Sequence, residues 1–194
     1  MVGAMILAAG ASTRMGQAKA SLPFRGGTFL STVVEAAHAA RLDPIIVVLG
    51  PDGRKILENH DLGECTVAWN PDTAAGPMAS IQAGFGMLNR PVDALVVWHV
   101  DRPHVRSDTV ATVVEAFRLS HCPIVVPTYE GRRGHPVLFA QAVFAELTCV
   151  PKGQGARVVV RKDPARVLEV PTADAAVLED VDSPDDYMDL LDRA

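Results

Sequence analysis

The chain is short of the residues on which several function classes depend. It has only three cysteines, Cys65, Cys122 and Cys149. Their odd number, wide spacing and lack of a C-x-x-C pair argue against a disulfide framework or a zinc site, so buried, inert thiols are expected. Cations are outnumbered, with 18 Lys and Arg against 23 Asp and Glu and a formal charge of -5. That balance argues against a nucleic-acid partner and makes any phosphate recognition local. No uncharged apolar run approaches the roughly eighteen residues of a membrane span, and no basic stretch followed by a signal-type apolar segment opens the chain. A cytoplasmic protein without a membrane partner is expected. No repeat or low-complexity segment is visible.

What is present suits one α/β domain over 1–194, with 48% hydrophobic and 21% charged residues and enough length to bury a substantial core. Apolar, β-branched runs recur at Ala4 to Leu7, Ile45 to Leu49, Cys65 to Trp69, Ala94 to His99 and Ile124 to Pro127. Between them lie segments of helical period: Thr28 to Ala40, Pro77 to Leu88 and Ser107 to Leu119. This alternation predicts a mostly parallel sheet covered on both faces. After about residue 127 the rhythm breaks at Gly131-Arg132-Arg133-Gly134, which suits an antiparallel strand or a loop excursion.

The most informative segment is Leu7 to Lys19, Leu-Ala-Ala-Gly-Ala-Ser-Thr-Arg-Met-Gly-Gln-Ala-Lys. The small residues Ala8, Ala9, Gly10, Ala11 and Ser12 follow a strand directly, let a backbone approach a ligand closely and offer it N–H groups. Arg14 and Lys19 add charge, one as a planar fork for phosphate oxygens and the other as a mobile point charge. The spacing from Gly10 to Gly16 matches neither the dinucleotide G-x-G-x-x-G nor the P-loop. An ordinary solvated turn is the alternative.

In open parallel sheets ligands bind beyond the carboxyl ends of the strands. Asp101 stands there, where a carboxylate can hold Mg²⁺ together with substrate phosphates or else cap the next helix. Ser183, Pro184, Asp185 and Asp186 open a helix by ordinary capping chemistry. Asp182 precedes that cap and is a candidate second metal ligand, with a turn role as the alternative. Asn70, Gly76 and Ser80 offer hydrogen bonds and a helix start to an anion or a base, although turn and cap roles explain them locally. The loop with Arg132, Arg133 and His135 could take an anionic acceptor or simply be solvated.

With these residues in view, the chain resembles the nucleotidyltransferases related to the molybdenum-cofactor cytidylyltransferases and guanylyltransferases, which share the Rossmann-like nucleotide-diphospho-sugar transferase fold, a three-layer α/β/α sandwich. The matches are the 7–19 motif, Asn70 with Gly76 to Ile81, Val-Asp-x-Pro at 100–103, Gly-x-Pro at 134–136, Gly-x-Gly-Ala-Arg at 153–157 and Asp-Val-Asp-Ser-Pro-Asp-Asp-Tyr at 180–187. The resemblance implies transfer of a nucleoside monophosphate from an NTP to a phosphorylated small molecule, with Mg²⁺ required and pyrophosphate released. It implies Arg14 and Lys19 as catalytic groups on the phosphates, and Leu7, Ala8, Ala9, Gly10, Asn70, Gly76 and Ser80 around the nucleotide. Asp101 and Asp182 would hold the metal. Leu-Ala-Ala-Gly with Gly-Pro-Met-Ala-Ser-Ile is more similar to the cytidylyltransferase branch and so implies CTP. A molybdopterin acceptor would further imply a molybdoenzyme as maturation partner. His99-Val-Asp-Arg-Pro103 departs from the Gly-Asp-Gln-Pro common among molybdopterin enzymes, so a sugar phosphate or another phosphorylated alcohol is the alternative acceptor. A nucleotide-binding module without turnover is the non-enzymatic alternative.

Overall fold

Strand β1, Val2–Ala8, is buried along its whole length, which is why it reads as a continuous apolar run rather than an alternating one. A computed structural model describes residues 1–10, 14–58, 60–151 and 153–193. After β1 come a small hairpin, β2 (Pro23–Phe24) and β3 (Gly27–Thr28), then α1 (Phe29–Ala39), β4 (Ile45–Leu49), α2 (Gly53–Glu58), β5 (Thr66–Trp69), α3 (Pro77–Phe85), β6 (Ala94–His99) and α4 (Ser107–Ser120). The chain continues through β7 (Ile124–Tyr129), β8 (Arg132–Arg133), β9 (Val137–Ala140), α5 (Phe144–Thr148), α6 (Arg157–Lys162), β10 (Val167–Pro171) and α7 (Pro184–Asp192). Thr28 caps α1 in a reciprocal box with Ser31, so that helix begins one residue after the predicted start.

The main sheet runs β10-β7-β9-β6-β1-β4-β5, with β8 hydrogen-bonded to β7. β1 is parallel to β4 and β6, β4 to β5, and β10 to β7. β9 is antiparallel to both β6 and β7, which is the break in rhythm seen after residue 127. Glu130 and Gly131 turn the chain back with φ of 49° and 74°, and β9 returns between β7 and β6.

Alternate residues of β1 enter different cores, giving three layers. Ala4 and Ile6 pack with Val33 and Ala37 of α1 and Val110 and Val114 of α4. Met5 and Leu7 pack with Met78 and Ile81 of α3 and Leu147 of α5. A fully buried aliphatic side chain contributes about 1.5–3 kcal/mol, so this two-sided burial makes the centre of the sheet a rigid base. From β1 the chain moves outward to β4 and β5, then crosses back to β6 on the other side of β1. The carboxyl ends of β1 and β6 therefore flank a topological switch point.

Two expectations need correction. The cysteines are not buried thiols: Cys65 and Cys122 are half-buried and Cys149 is exposed, because they sit at the margins of strands and helices rather than inside them. α3 ends at Phe85, short of Leu88, where Gly86 closes it. Among the described residues no helix is long and apolar enough to cross a membrane.

Candidate active site

A pocket of about 320 Å³ opens at that switch point. One wall is the end of β1 and the residues after it, Leu7, Ala8, Ala9 and Gly10; another is the end of β6, with His99, Val100 and Asp101. Val100 donates its N–H to the Leu7 carbonyl at 3.1 Å, continuing the β1–β6 pairing to the rim. Thr73, Gly76, Pro77 and Ser80 close a third side. Gly76 has a φ of 84°, a left-handed geometry that costs glycine little, and it turns the chain so that the N-terminus of α3 faces the cavity.

At the base of the pocket Lys19 contacts two carboxylates. Its Nζ donates to Asp101 Oδ2 at 3.1 Å and to Asp182 Oδ1 at 2.5 Å. Burial lowers the lysine pKa, but the hydrogen bond it donates to Asp182, with the charge of Asp101 and the hydrogen bond to it, outweighs that, leaving the ammonium above its ordinary value. Arg14 Nη1 lies 3.7 Å from Asp182 Oδ2 at the solvent edge, with its side chain 75% exposed. His99, at the end of β6, meets the His135 ring edge-on with centroids 5.2 Å apart. Burial lowers the pKa of both, that of His135 to about 3, which favours the neutral rings.

Asp101 and Asp182 reach this place from different elements. Asp101 stands two residues past the end of β6 and is not a helix cap, since α4 begins only at Ser107 with Arg106 before it. Asp182 precedes a cap box in which Ser183 Oγ accepts from the Asp186 N–H and the Asp186 carboxylate accepts from the Ser183 N–H. The same carboxylate accepts from the Asp182 N–H at 3.0 Å, so the helix cap also fixes the backbone of Asp182. Among the described residues no cluster of three or more His, Cys, Asp or Glu is arranged for a metal ion. The donor set suits a different mode. A single cation, here the lysine ammonium, touches one oxygen of each carboxylate, and two carboxylates completed by water and phosphate oxygens are how Mg²⁺ is commonly held.

Most of the residues expected from sequence come together here. Leu7, Ala8, Ala9, Gly10, Arg14, Lys19, Gly76, Ser80, Asp101 and Asp182 all line the pocket. Asn70 does not: its side chain turns into the protein, donating to Ser80 Oγ at 2.9 Å and accepting from the Asp72 N–H at 2.9 Å. It holds Ser80 from behind, because a buried amide needs partners and the turn supplies them. Ala11 and Ser12, also expected to offer N–H groups, lie outside the described residues. Arg132 and Arg133 do not line the pocket, and Arg133 pairs with Glu169 at 2.8 Å. Sequence reasoning assigned no role to Thr73, His99 or Arg102; the only signal was that His99 ends β6 and that Arg102 and Thr73 lie within a few residues of the ends of β6 and β5.

A model of the MobA-like NTP transferase domain matches residues 4–167. The molybdenum cofactor cytidylyltransferase of Escherichia coli (strain K12) is 27% identical over 190 residues, covering 97% of this chain and 95% of that protein. The nicotine blue oxidoreductase of Paenarthrobacter nicotinovorans is 29% identical over 198 residues, with 96% and 95% covered. Among solved structures, Rv0371c of Mycobacterium tuberculosis H37Rv in complex with manganese superposes with a TM-score of 0.86 at 28% identity, covering 100% of this chain and 99% of that one.

Proposed function

The chain belongs to the MobA-like NTP transferase family and is a nucleotidyltransferase, and we propose that it transfers a cytidylyl group from CTP to a phosphorylated acceptor of the molybdopterin type, releasing pyrophosphate. The observation that carries this reading is the contact of Lys19 with both Asp101 and Asp182 at the base of the pocket. A fixed ammonium beside two carboxylates, under a wall of small residues, provides for a triphosphate and for the divalent cation that accompanies it. Support for CTP and molybdopterin comes from the relative named a molybdenum cofactor cytidylyltransferase. The manganese in a structural neighbour supports a divalent metal, and Mg²⁺ is our choice for this chain.

In the reaction an oxygen of the acceptor phosphate attacks the α-phosphorus in line. The new P–O bond forms as the bond to the bridging oxygen breaks, and pyrophosphate leaves with that electron pair. The protein's part is to position and to stabilise charge. Ala8, Ala9 and Gly10 let the nucleotide lie against the end of β1, and the start of α3 presents its positive end to the same space. Lys19, held charged by its surroundings, donates to phosphate oxygens, and Arg14 does so from the rim. Asp101 and Asp182 would hold Mg²⁺, which when bound adds positive charge to the phosphates and polarises the phosphoryl oxygens.

Thermal-shift measurements with CTP, GTP, ATP and UTP, each with and without Mg²⁺, test the reading. A ligand at about a hundred times its Kd stabilises by roughly 2.7 kcal/mol, a rise of about 5–10 °C for a chain of this length. A Mg²⁺-dependent rise with CTP, together with pyrophosphate release on adding a molybdopterin acceptor, is expected. A rise with GTP alone would change the base. A rise with CTP but no pyrophosphate from molybdopterin would move the acceptor to a sugar phosphate or another phosphorylated alcohol. One relative is named an oxidoreductase, so NADPH belongs in the series, and no rise is expected with it.

A further inference from the structure

Arg102 follows Asp101 and is buried, with 9% of its surface exposed. A buried guanidinium must spend its donors on fixed acceptors. Its Nη1 donates to the carbonyls of Val177 and Glu179, both at 2.9 Å, and Nη2 lies 3.6 Å from the Asp180 carboxylate. Two residues further on, the Val181 N–H donates to the Asp101 carbonyl at 3.0 Å. Backbone groups at 177, 179 and 181 are thus fastened in succession to Asp101 and Arg102, and the next residue is Asp182. The segment belongs to no strand of the sheet, so these bonds stand in for a ladder. Its upstream end is fixed separately, where the His135 N–H donates to the Val177 carbonyl at 2.8 Å and Gly134 lies so close that an added Cβ would be 2.4 Å from the same oxygen. The backbone of Arg102 is itself held, its carbonyl accepting from Trp98 Nε1 at 3.2 Å.

We propose that Arg102 is a positioning residue that sets Asp182 against Asp101, so that the carboxylate pair can share one divalent cation. The inference rests on the reading that these two carboxylates hold the metal. Arg102 acts at a distance from the metal, through the 177–181 backbone. Partners of this kind, one step removed from the ligands, change metal affinity by about 10–100-fold when lost. A glutamine at this position lacks the length and the charge with which Arg102 holds both carbonyls beside Asp180.

The test is a Mn²⁺ titration followed by electron paramagnetic resonance, using the metal alone, on wild type, R102Q, D182N and the double variant. L147A serves as a control, because it removes a fully buried side chain from the opposite face of the sheet. About tenfold weaker Mn²⁺ binding is expected for R102Q and for D182N, with the double variant no weaker than D182N, since residues acting as a unit are not additive. L147A is expected to lose thermal stability without losing Mn²⁺ affinity. Should R102Q fail to fold, R102K keeps the buried charge but not the planar guanidinium that reaches both carbonyls and Asp180 together, and the same loss is expected of it. Wild-type affinity in a folded R102Q or R102K, with D182N impaired, would overturn the role of Arg102 alone, as would multiplicative losses in the double variant. Undiminished affinity in D182N would overturn the metal reading and the proposal with it.

Discussion

The two sides of the pocket are built by different means. The side formed by Leu7 to Gly10 consists largely of backbone and small side chains, set at the end of a strand hydrogen-bonded on both edges and buried throughout. The side formed by Asp101 and Asp182 consists of charged side chains, and its geometry comes from polar bonds: the Lys19 contacts, the grip of Arg102 on 177 and 179, and the cap at Ser183. The first inherits its position from the sheet and should tolerate small changes. The second is assembled bond by bond and should fail when any major member is removed.

The strongest way to break this comparison is Asp101→Ala. Pyrophosphate release should fall by about a thousandfold or more, as expected when a charge that positions the phosphates is lost, while the protein remains folded by circular dichroism; a loss below tenfold would mean that the carboxylate side is not where the chemistry depends on single residues. Lys19→Met comes next, at about 10²–10³ in kcat. It also leaves two carboxylates without their shared cation, so a kcat within threefold of wild type would undo the argument.

Acid should weaken the architecture around the carboxylate side. Burial lowers the pKa of His104, against a smaller opposing pull from Glu179, and lowers that of His135 to about 3. Both rings stay neutral in the fold at a pH where the unfolded chain takes up protons. Their contribution is complete above about pH 6.5 and is lost as the pH falls towards the folded values. His135 supplies a slope of up to about 1.4 kcal/mol per pH unit in that window, and His104 adds to it in the same direction. Urea unfolding at pH 7, 6 and 5 checks the slope, and His104→Gln should flatten it.

Ser183→Ala removes the helix cap beside Asp182 and should cost about 1 kcal/mol, or roughly 2–4 °C in Tm. The smallest effect on stability belongs to Gly10→Ala: among the described residues an added Cβ meets nothing within 4 Å, so Tm should stay within about 1 °C of wild type. The CTP-induced thermal shift should nonetheless shrink, because the methyl enters space assigned to the nucleotide. An unchanged shift would place the nucleotide away from β1.

The same contrast governs what could be read in the sequence. β1, β4 and β6 are covered on both faces and announce themselves as apolar runs. β10 is half-exposed, with Glu169 facing Arg133, and carries no such signal. Helices α2, α5 and α6 span five or six residues, too few for a helical period to show. Asp101 and Asp182 were legible because one stands just past a strand and the other just before a strong cap. Arg102 was not, since its partners are main-chain carbonyls some seventy-five residues away and leave no trace in residue type. Asn70 misled because the sequence does not say which way an amide turns.

Lys19 and Asp182 meet across 163 residues of chain. Closing so large a loop carries an entropic cost that is recovered only once other packing is in place. β1 can therefore pair with β4 and β6, and present its end, before the second carboxylate has docked. Until that closure the ammonium faces one carboxylate instead of two, and a chain with its sheet complete has only part of its chemistry. The bond between Lys19 and Asp182 thus ties the charge arrangement at the end of β1 to the docking of the segment that leads into α7.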